Sequence, residues 1–142
     1  MTTVGTAELP PVSQLPWAVG RDRFVADAGA VTGEGACCLF LIDSAIPASA
    51  RAGYAALVIA YARSNEPVTI LEGGAAAILI RDGGVASGAI AARRLLKQMA
   101  RLGLQETLRA GVSTLENGIH DAINSARELA ASAPAGEVGV AS

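Results

Sequence analysis

A chain of 142 residues suits one domain with one core, and its composition already excludes several functions. A net charge of −2 argues against a general nucleic-acid binder, and no apolar stretch free of charge is long enough for a membrane-spanning helix. The first residues lack the basic start and apolar centre of a secretory signal, so the sequence predicts a cytoplasmic protein without membrane insertion.

Hydrophobic residues make up 51% of the chain and aromatic residues only 4%, so the core must be built from Ala, Val, Leu and Ile. Lys97 is the only lysine, and arginine otherwise supplies the positive charge. With the abundant alanine, that bias suggests a GC-rich bacterial genome, an inference from composition alone. Cys37 and Cys38 are neighbours in an apolar run and cannot bridge each other without strain; they read as buried free thiols.

Residues 1–16 carry Pro10, Pro11 and Pro16 and no period, and read as an irregular arm whose end, with Leu15 and Trp17, docks on the domain. Arg21 to Ala30 predicts a short helix with Phe24, Val25 and Ala28 on one side. Thr32-Gly33-Glu34-Gly35 is a turn. Residues 36–42 form a continuous apolar run of strand length without alternation, as in a strand buried on both faces.

Residues 48–63 predict a helix with Tyr54, Leu57, Val58 and Tyr61 inward, stopped before Pro67. Two runs rich in β-branched residues then flank Gly73-Gly74. Glycine supplies the positive φ of a two-residue turn, so Val68–Glu72 and Ala75–Ile80 predict an antiparallel hairpin with Ile70, Ile78 and Ile80 facing the core. Asp82-Gly83-Gly84 is a loop. Residues 86–102 predict a helix with Ala92, Leu95, Leu96, Met99 and Leu102 inward, Arg93, Arg94, Lys97 and Arg101 outward, and Gly103 as its cap. Residues 107–115 predict a fourth strand. Asn117 is positioned to cap a last helix, 118–132, with Ile119, Ala122, Ile123, Ala126 and Leu129 inward. Pro134 stops it, and residues 134–142 read as a flexible small-residue tail.

The core order is βαββαβ. It predicts a single α/β (α+β) domain over residues 17–133 with a ferredoxin-like sheet packed by helices, a topology shared by nucleotide cyclases, polymerase palms and many unrelated proteins.

Residues 12–133 resemble the GGDEF, or diguanylate cyclase, family. Leu15-Pro16 and Arg21-Asp22-Arg23-Phe24 are similar to its opening turn and helix. Phe40-Leu41-Ile42-Asp43 is similar to the strand that ends in a metal-binding aspartate. Glu72-Gly73-Gly74-Ala75-Ala76-Ala77-Ile78-Leu79-Ile80 is similar to the signature hairpin, Arg109-Ala110-Gly111-Val112-Ser113 to a later strand, and Ser125-Ala126-Arg127-Glu128-Leu129-Ala130 to the helix after it. The resemblance implies a cyclase fold whose signature acidic pair falls on Ala75 and Ala76 and whose phenylalanine falls on Ala77. Phosphoryl transfer requires hard oxygen ligands for a divalent metal, and Asp43 alone would remain. The guanine-recognising Asn and Asp have no counterpart in Ala48-Ser49-Ala50-Arg51-Ala52-Gly53, and the family's late lysine would fall near Pro134.

The expected function is thus a catalytically inactive regulatory module that binds another bacterial protein, without a cofactor or bound metal, as a single chain or a homodimer. The hairpin tip, Glu72, Gly73, Gly74, Ala75, Ala76 and Ala77, is the candidate contact surface. The alternative is a receptor for cyclic di-GMP or GTP. Arg63-Ser64-Asn65-Glu66 resembles the family's inhibitory cyclic di-GMP site, with Arg63 and Glu66 as the candidate ligands, Glu replacing the family's Asp and the spacing to Gly73 one residue longer. Each feature also has a plainer reading. Asp43 can cap a turn, Arg63 can end a solvated helix, the glycines from Asp82 to Gly88 can form an ordinary turn without a phosphate-binding lysine, and the arginine-rich helix face can be solvated. His120, the only histidine, has no partner for a metal site or triad.

Overall fold

The computed structural model describes residues 15–104 and 106–141. Residues 1–14, which hold most of the predicted arm, lie outside them. Four helices and one five-stranded sheet follow in the order α1 (Arg21–Gly29), β1 (Ala36–Ile42), α2 (Ala48–Tyr61), β2 (Val68–Ile70), β3 (Ala76–Ile80), α3 (Gly84–Arg101), β4 (Leu108–Thr114), α4 (Ile119–Ser132) and β5 (Val138–Val140). The sheet order is β2-β3-β1-β4-β5. β1 pairs antiparallel with both β3 and β4, and β2 pairs antiparallel with β3. This is the predicted ferredoxin-like core, with β1 at its centre.

β1 has helices on both sides because its side chains alternate between two buried layers. Ala36, Cys38 and Phe40 pack under α2 and α3 with Ile78, Ile80, Leu95, Leu96 and Met99. Cys37 and Leu39 pack on the other face with Phe24 of α1 and Ile119, Ala122, Ile123, Ala126 and Ala130 of α4. Fully buried Phe24 anchors the short α1; an aromatic burial of this kind contributes about 1.5–3 kcal/mol. Burial also pushes the Cys37 thiol up to about 12, and Cys38 is raised by burial, by the neighbouring Cys37 and by Glu66.

A raised thiol pKa has a defined sign. The folded chain holds its Cys37 proton more tightly than the unfolded chain, so this contribution to stability is complete below the ordinary thiol value of about 8.5. It is lost as the pH climbs from there toward about 12. At pH 8 neither cysteine is expected to react with an aromatic disulfide reagent until urea unfolds the chain. Rapid stoichiometric reaction in the absence of urea would show that the thiols are accessible.

Several boundaries differ from the sequence expectation. The tail is not wholly free: β5 pairs parallel with β4, and Gly139 lies so near α4 that a Cβ there would come within 2.6 Å of the Leu129 carbonyl oxygen. Leu129 is accordingly only half-buried, and Ala130 takes the inward position. In α2 the buried side chains are Ala55, Val58 and Ile59, with Tyr54, Leu57 and Tyr61 packed at their margin. That helix is apolar around most of its girth, so its periodicity fixes its orientation poorly. Leu102, expected inward, is 50% exposed because α3 has already ended at Arg101. The Gly103 N–H donates to the Ala100 carbonyl, and Gly103 adopts φ +76°, the left-handed cap its sequence position predicts. Gly118, not Asn117, occupies the N-cap of α4, and no side chain caps that helix.

Leu15 and Trp17 pack against the α2–α3 layer. The Trp17 indole N–H donates to the Ile59 carbonyl at 2.6 Å, and Val68 N–H donates to the Trp17 carbonyl at 2.7 Å. This pairing covers part of the β2 edge.

Candidate functional site

The turn between β2 and β3 meets the end of β1. It is longer than the two-residue turn predicted from Gly73-Gly74. The strands stop at Ile70 and restart at Ala76, and Glu72–Gly74 form a single 3₁₀ turn between them. Leu71 N–H closes the loop on the Ala75 carbonyl at 2.7 Å. Gly73 and Gly74 both adopt positive φ, so the glycines serve the conformational purpose expected of them in a wider turn.

The exposed tip is correspondingly smaller than predicted. Glu72 and Gly73 are exposed and Gly74 is half-buried. Ala75 and Ala76 are only 3% and 1% exposed, and Ala77 is fully buried. Ala76 lies between Ile70 of β2 and Phe40 of β1 in the sheet, while Ala75 and Ala77 join the layer beneath α4. These three alanines belong to the core and cannot form part of an open contact surface. Ile70, in contrast, is 42% exposed on the edge strand and does not face the core that its alternation predicts.

Arg51 closes over the tip. Its Nε donates to the Ile46 carbonyl and its Nη1 to the Gly73 carbonyl, each at 3.2 Å. These bonds tie the β1–α2 loop, the start of α2 and the hairpin together. Gly74 is the close-approach point, since a Cβ there would lie 3.1 Å from Arg51 Cβ and 3.2 Å from Ile42 Cδ1. In the sequence Arg51 stands only in a stretch without guanine-binding groups. Its structural part depends on a contact 22 residues distant, for which the sequence carries no local signal.

Asp43 follows β1 and is half-buried. Its Oδ2 accepts the Ala45 N–H at 3.2 Å, and its Oδ1 lies 3.7 Å from Arg109 Nη2. It therefore caps its own turn and faces a guanidinium. Arg109 Nε is buried without a hydrogen-bond partner among the described residues. Among those residues no three His, Cys, Asp or Glu groups come together as metal ligands. Asp43 is thus engaged by its own turn and by Arg109.

A second cluster forms where α2 leads into β2. Glu66, 7% exposed, accepts the Arg63 backbone N–H at 2.7 Å and Arg94 Nη2 at 2.6 Å on the same Oε1. Beside this pair is a cleft of about 290 Å³ lined by Arg63, Asn65, Arg81, Asp82, Ser87 and Arg94, among others. Arg81 also lies 3.8 Å from Asp27. Among the described residues Arg63 has no ion-pair partner. The sequence-predicted pair Arg63 and Glu66 is therefore adjacent in space, but Glu66 faces inward and is committed to holding the turn and Arg94.

The other candidates lie apart. His120 is exposed in the first turn of α4. Gly84 opens α3, and its N–H already donates to the Glu34 carbonyl at 2.9 Å. A separate groove of about 740 Å³, lined in part by Val25, Val31, Leu115 and Ile119, opens at the opposite end of β1. No described helix is long and apolar enough to cross a membrane.

No family model matches the sequence, and no curated protein matches it. Solved structures do match. The GGDEF domain of FimX from Pseudomonas aeruginosa superposes with a TM-score of 0.65 at 18% identity, over 91% of this chain and 96% of that one. The isolated GGDEF domain of YfiN (TpbB) from the same organism gives 0.61 at 17% identity, over 94% of each chain. A microbial GGDEF domain described for its mode of interaction with cyclic di-GMP gives 0.63 at 13% identity, over 94% of this chain and 98% of that one. Element order, sheet order and these superpositions agree: the chain has the fold of a GGDEF domain.

Proposed function

We propose that this chain is a GGDEF-like domain without cyclase chemistry that works as a regulatory, protein-binding module in bacterial cytoplasmic signalling. The observation that carries this reading is the placement of Ala75 and Ala76. They occupy the hairpin positions where the resemblance expects metal-binding carboxylates, and both side chains are buried, Ala76 within β3 and Ala75 just before it in the layer beneath α4. Alanine can neither hold a metal nor move a proton. Arg51 adds to the argument, since it bonds across the tip to Gly73. The rigid fold remains, and its surfaces can recognise a partner.

The purified protein is expected to form no cyclic di-GMP from GTP with magnesium or manganese, measured by chromatography against a buffer control. Product above that control overturns the reading. The exposed tip for partner contact is Glu72 and Gly73, with Gly74 half-buried beside them, so a charge-reversing probe belongs at Glu72. An arginine at buried Ala75 would test folding instead.

A second reading, a receptor for cyclic di-GMP or GTP, draws on the cleft where Arg63, Arg81 and Arg94 converge. Guanidinium groups suit phosphate, and one structural neighbour is described for its interaction with cyclic di-GMP. Calorimetric titration separates the two readings. We expect no measurable heat with cyclic di-GMP. A micromolar Kd would place the receptor first, and Arg63→Ala should then weaken binding by about 1.5 kcal/mol, the worth of a charge-assisted hydrogen bond.

A further inference from the structure

α3 carries Arg93, Arg94, Lys97 and Arg101 and no carboxylate. Arg94 is committed to Glu66, but Arg93, Lys97 and Arg101 form no ion pair among the described residues. Arg93 and Lys97 line one side of a groove of about 390 Å³ between α3 and β5. Leu96, Ala100 and Val138 supply its apolar surface, and Glu137 is its one carboxylate.

The groove runs beside an open sheet edge. β5 lies at one edge of the sheet, and no further strand pairs with it among the described residues. The Glu137 carbonyl accepts from Ala110 N–H, and Ala141 N–H donates to the Val112 carbonyl. In a parallel ladder the residues between these, Val138 and Val140, direct their N–H and C=O groups outward. Such an edge is a template for another strand.

We propose that an extended, acidic segment of a partner protein adds to the outer edge of β5 and sets its carboxylates against Arg93 and Lys97. The proposal rests on the protein-binding reading above and names the surface and the partner chemistry. Charge complementarity favours an acidic segment, because Arg93 and Lys97 form no ion pair among the described residues and outnumber Glu137, the one carboxylate of the groove. An open backbone edge beside an apolar floor favours polypeptide over nucleic acid. Neither α3 nor the groove offers an aromatic ring on which a base could stack.

The probe is a fluorescein-labelled decapeptide of alternating valine and glutamate, titrated into the full chain and followed by anisotropy. Saturable binding is expected. It should weaken at least fivefold in the Arg93→Ala/Lys97→Ala double variant and in Val140→Pro, which removes an outward N–H and leaves the bonds to β4. Amide exchange at Val138 and Val140 should slow on binding. The proposal is overturned if the peptide does not bind, if the variants bind it equally, or if single-stranded DNA or anionic vesicles bind more tightly. A photo-crosslinking residue at position 100, an exposed groove position that carries no charge, or at position 72, introduced in the producing cells, distinguishes the two levels of inference. Protein adducts at position 100 support the β5 site. Adducts only at position 72 overturn it and leave the protein-binding reading standing, whereas no adduct at either position counts against both.

Discussion

Gly111→Ala is expected to lower the stability of the chain by about 3 kcal/mol, the upper part of the usual range for overpacking. Gly111 lies on β4 with α4 directly over it. An added Cβ would overlap the Ala126 carbonyl oxygen and come within 2.6 Å of the Ala130 nitrogen. Both are backbone atoms of a hydrogen-bonded helix, so no rotamer change can make room. α4 would have to lift from the sheet and loosen Ala122, Ala126 and Ala130, all fully buried. With a typical total stability of about 5–15 kcal/mol, the loss is large. Urea unfolding should show the midpoint fall. Gly53→Ala is the matching control. Gly53 is exposed inside α2 with nothing within 4 Å of a Cβ, so alanine there should add about 0.5–1 kcal/mol. If Gly111→Ala unfolds at the wild-type midpoint, the close approach of α4 is wrong.

The same contact shows what a sequence can and cannot carry. The apolar run at residues 36–42 has the composition of a doubly buried strand, and β1 has those same limits. The two runs around Gly73-Gly74 announce their pairing, since glycine and β-branched residues constrain the backbone locally. The turn length does not follow, because Leu71–Ala75 closes through its own backbone bond. Three alanines after a glycine pair are equally compatible with an exposed tip and a buried strand. Only the positions of β1, β2 and α4 decide, and these bury all three. β5 has three residues, one of them glycine, and no period to detect. Its existence depends on β4 offering an edge. Arg51 on Gly73 and Arg94 on Glu66 join residues 22 and 28 positions apart, and charge pattern alone cannot say which arginine meets which acceptor.

Arg94→Met is expected to be as damaging as Gly111→Ala, by a different route. Glu66 and Arg94 approach to 2.6 Å with side chains only 10% and 22% exposed. Two charges withdrawn from water this far add little net stability as a pair, but removing one leaves the other uncompensated. A cost of about 3 kcal/mol follows, at the lower end of the range for breaking a buried pair because some solvent remains. Glu66 cannot simply turn outward, since its Oε1 also accepts the Arg63 backbone N–H that shapes the turn into β2. Glu66→Gln/Arg94→Met should therefore recover most of the loss: the amide oxygen still accepts that N–H, and no unpaired carboxylate stays behind. Urea unfolding of the two single variants and the double variant completes the cycle, and a coupling energy near zero would show that the pair is not formed in solution. The same cycle bears on the arginine cleft. While Glu66 holds Arg94, a phosphate entering the cleft must compete with a carboxylate already in place. Glu66→Gln releases that guanidinium, so any phosphate ligand of the cleft should bind the variant more tightly than the parent. Unchanged or weaker binding in that variant would mean that Arg94 serves the fold alone and that the cleft is not a phosphate site.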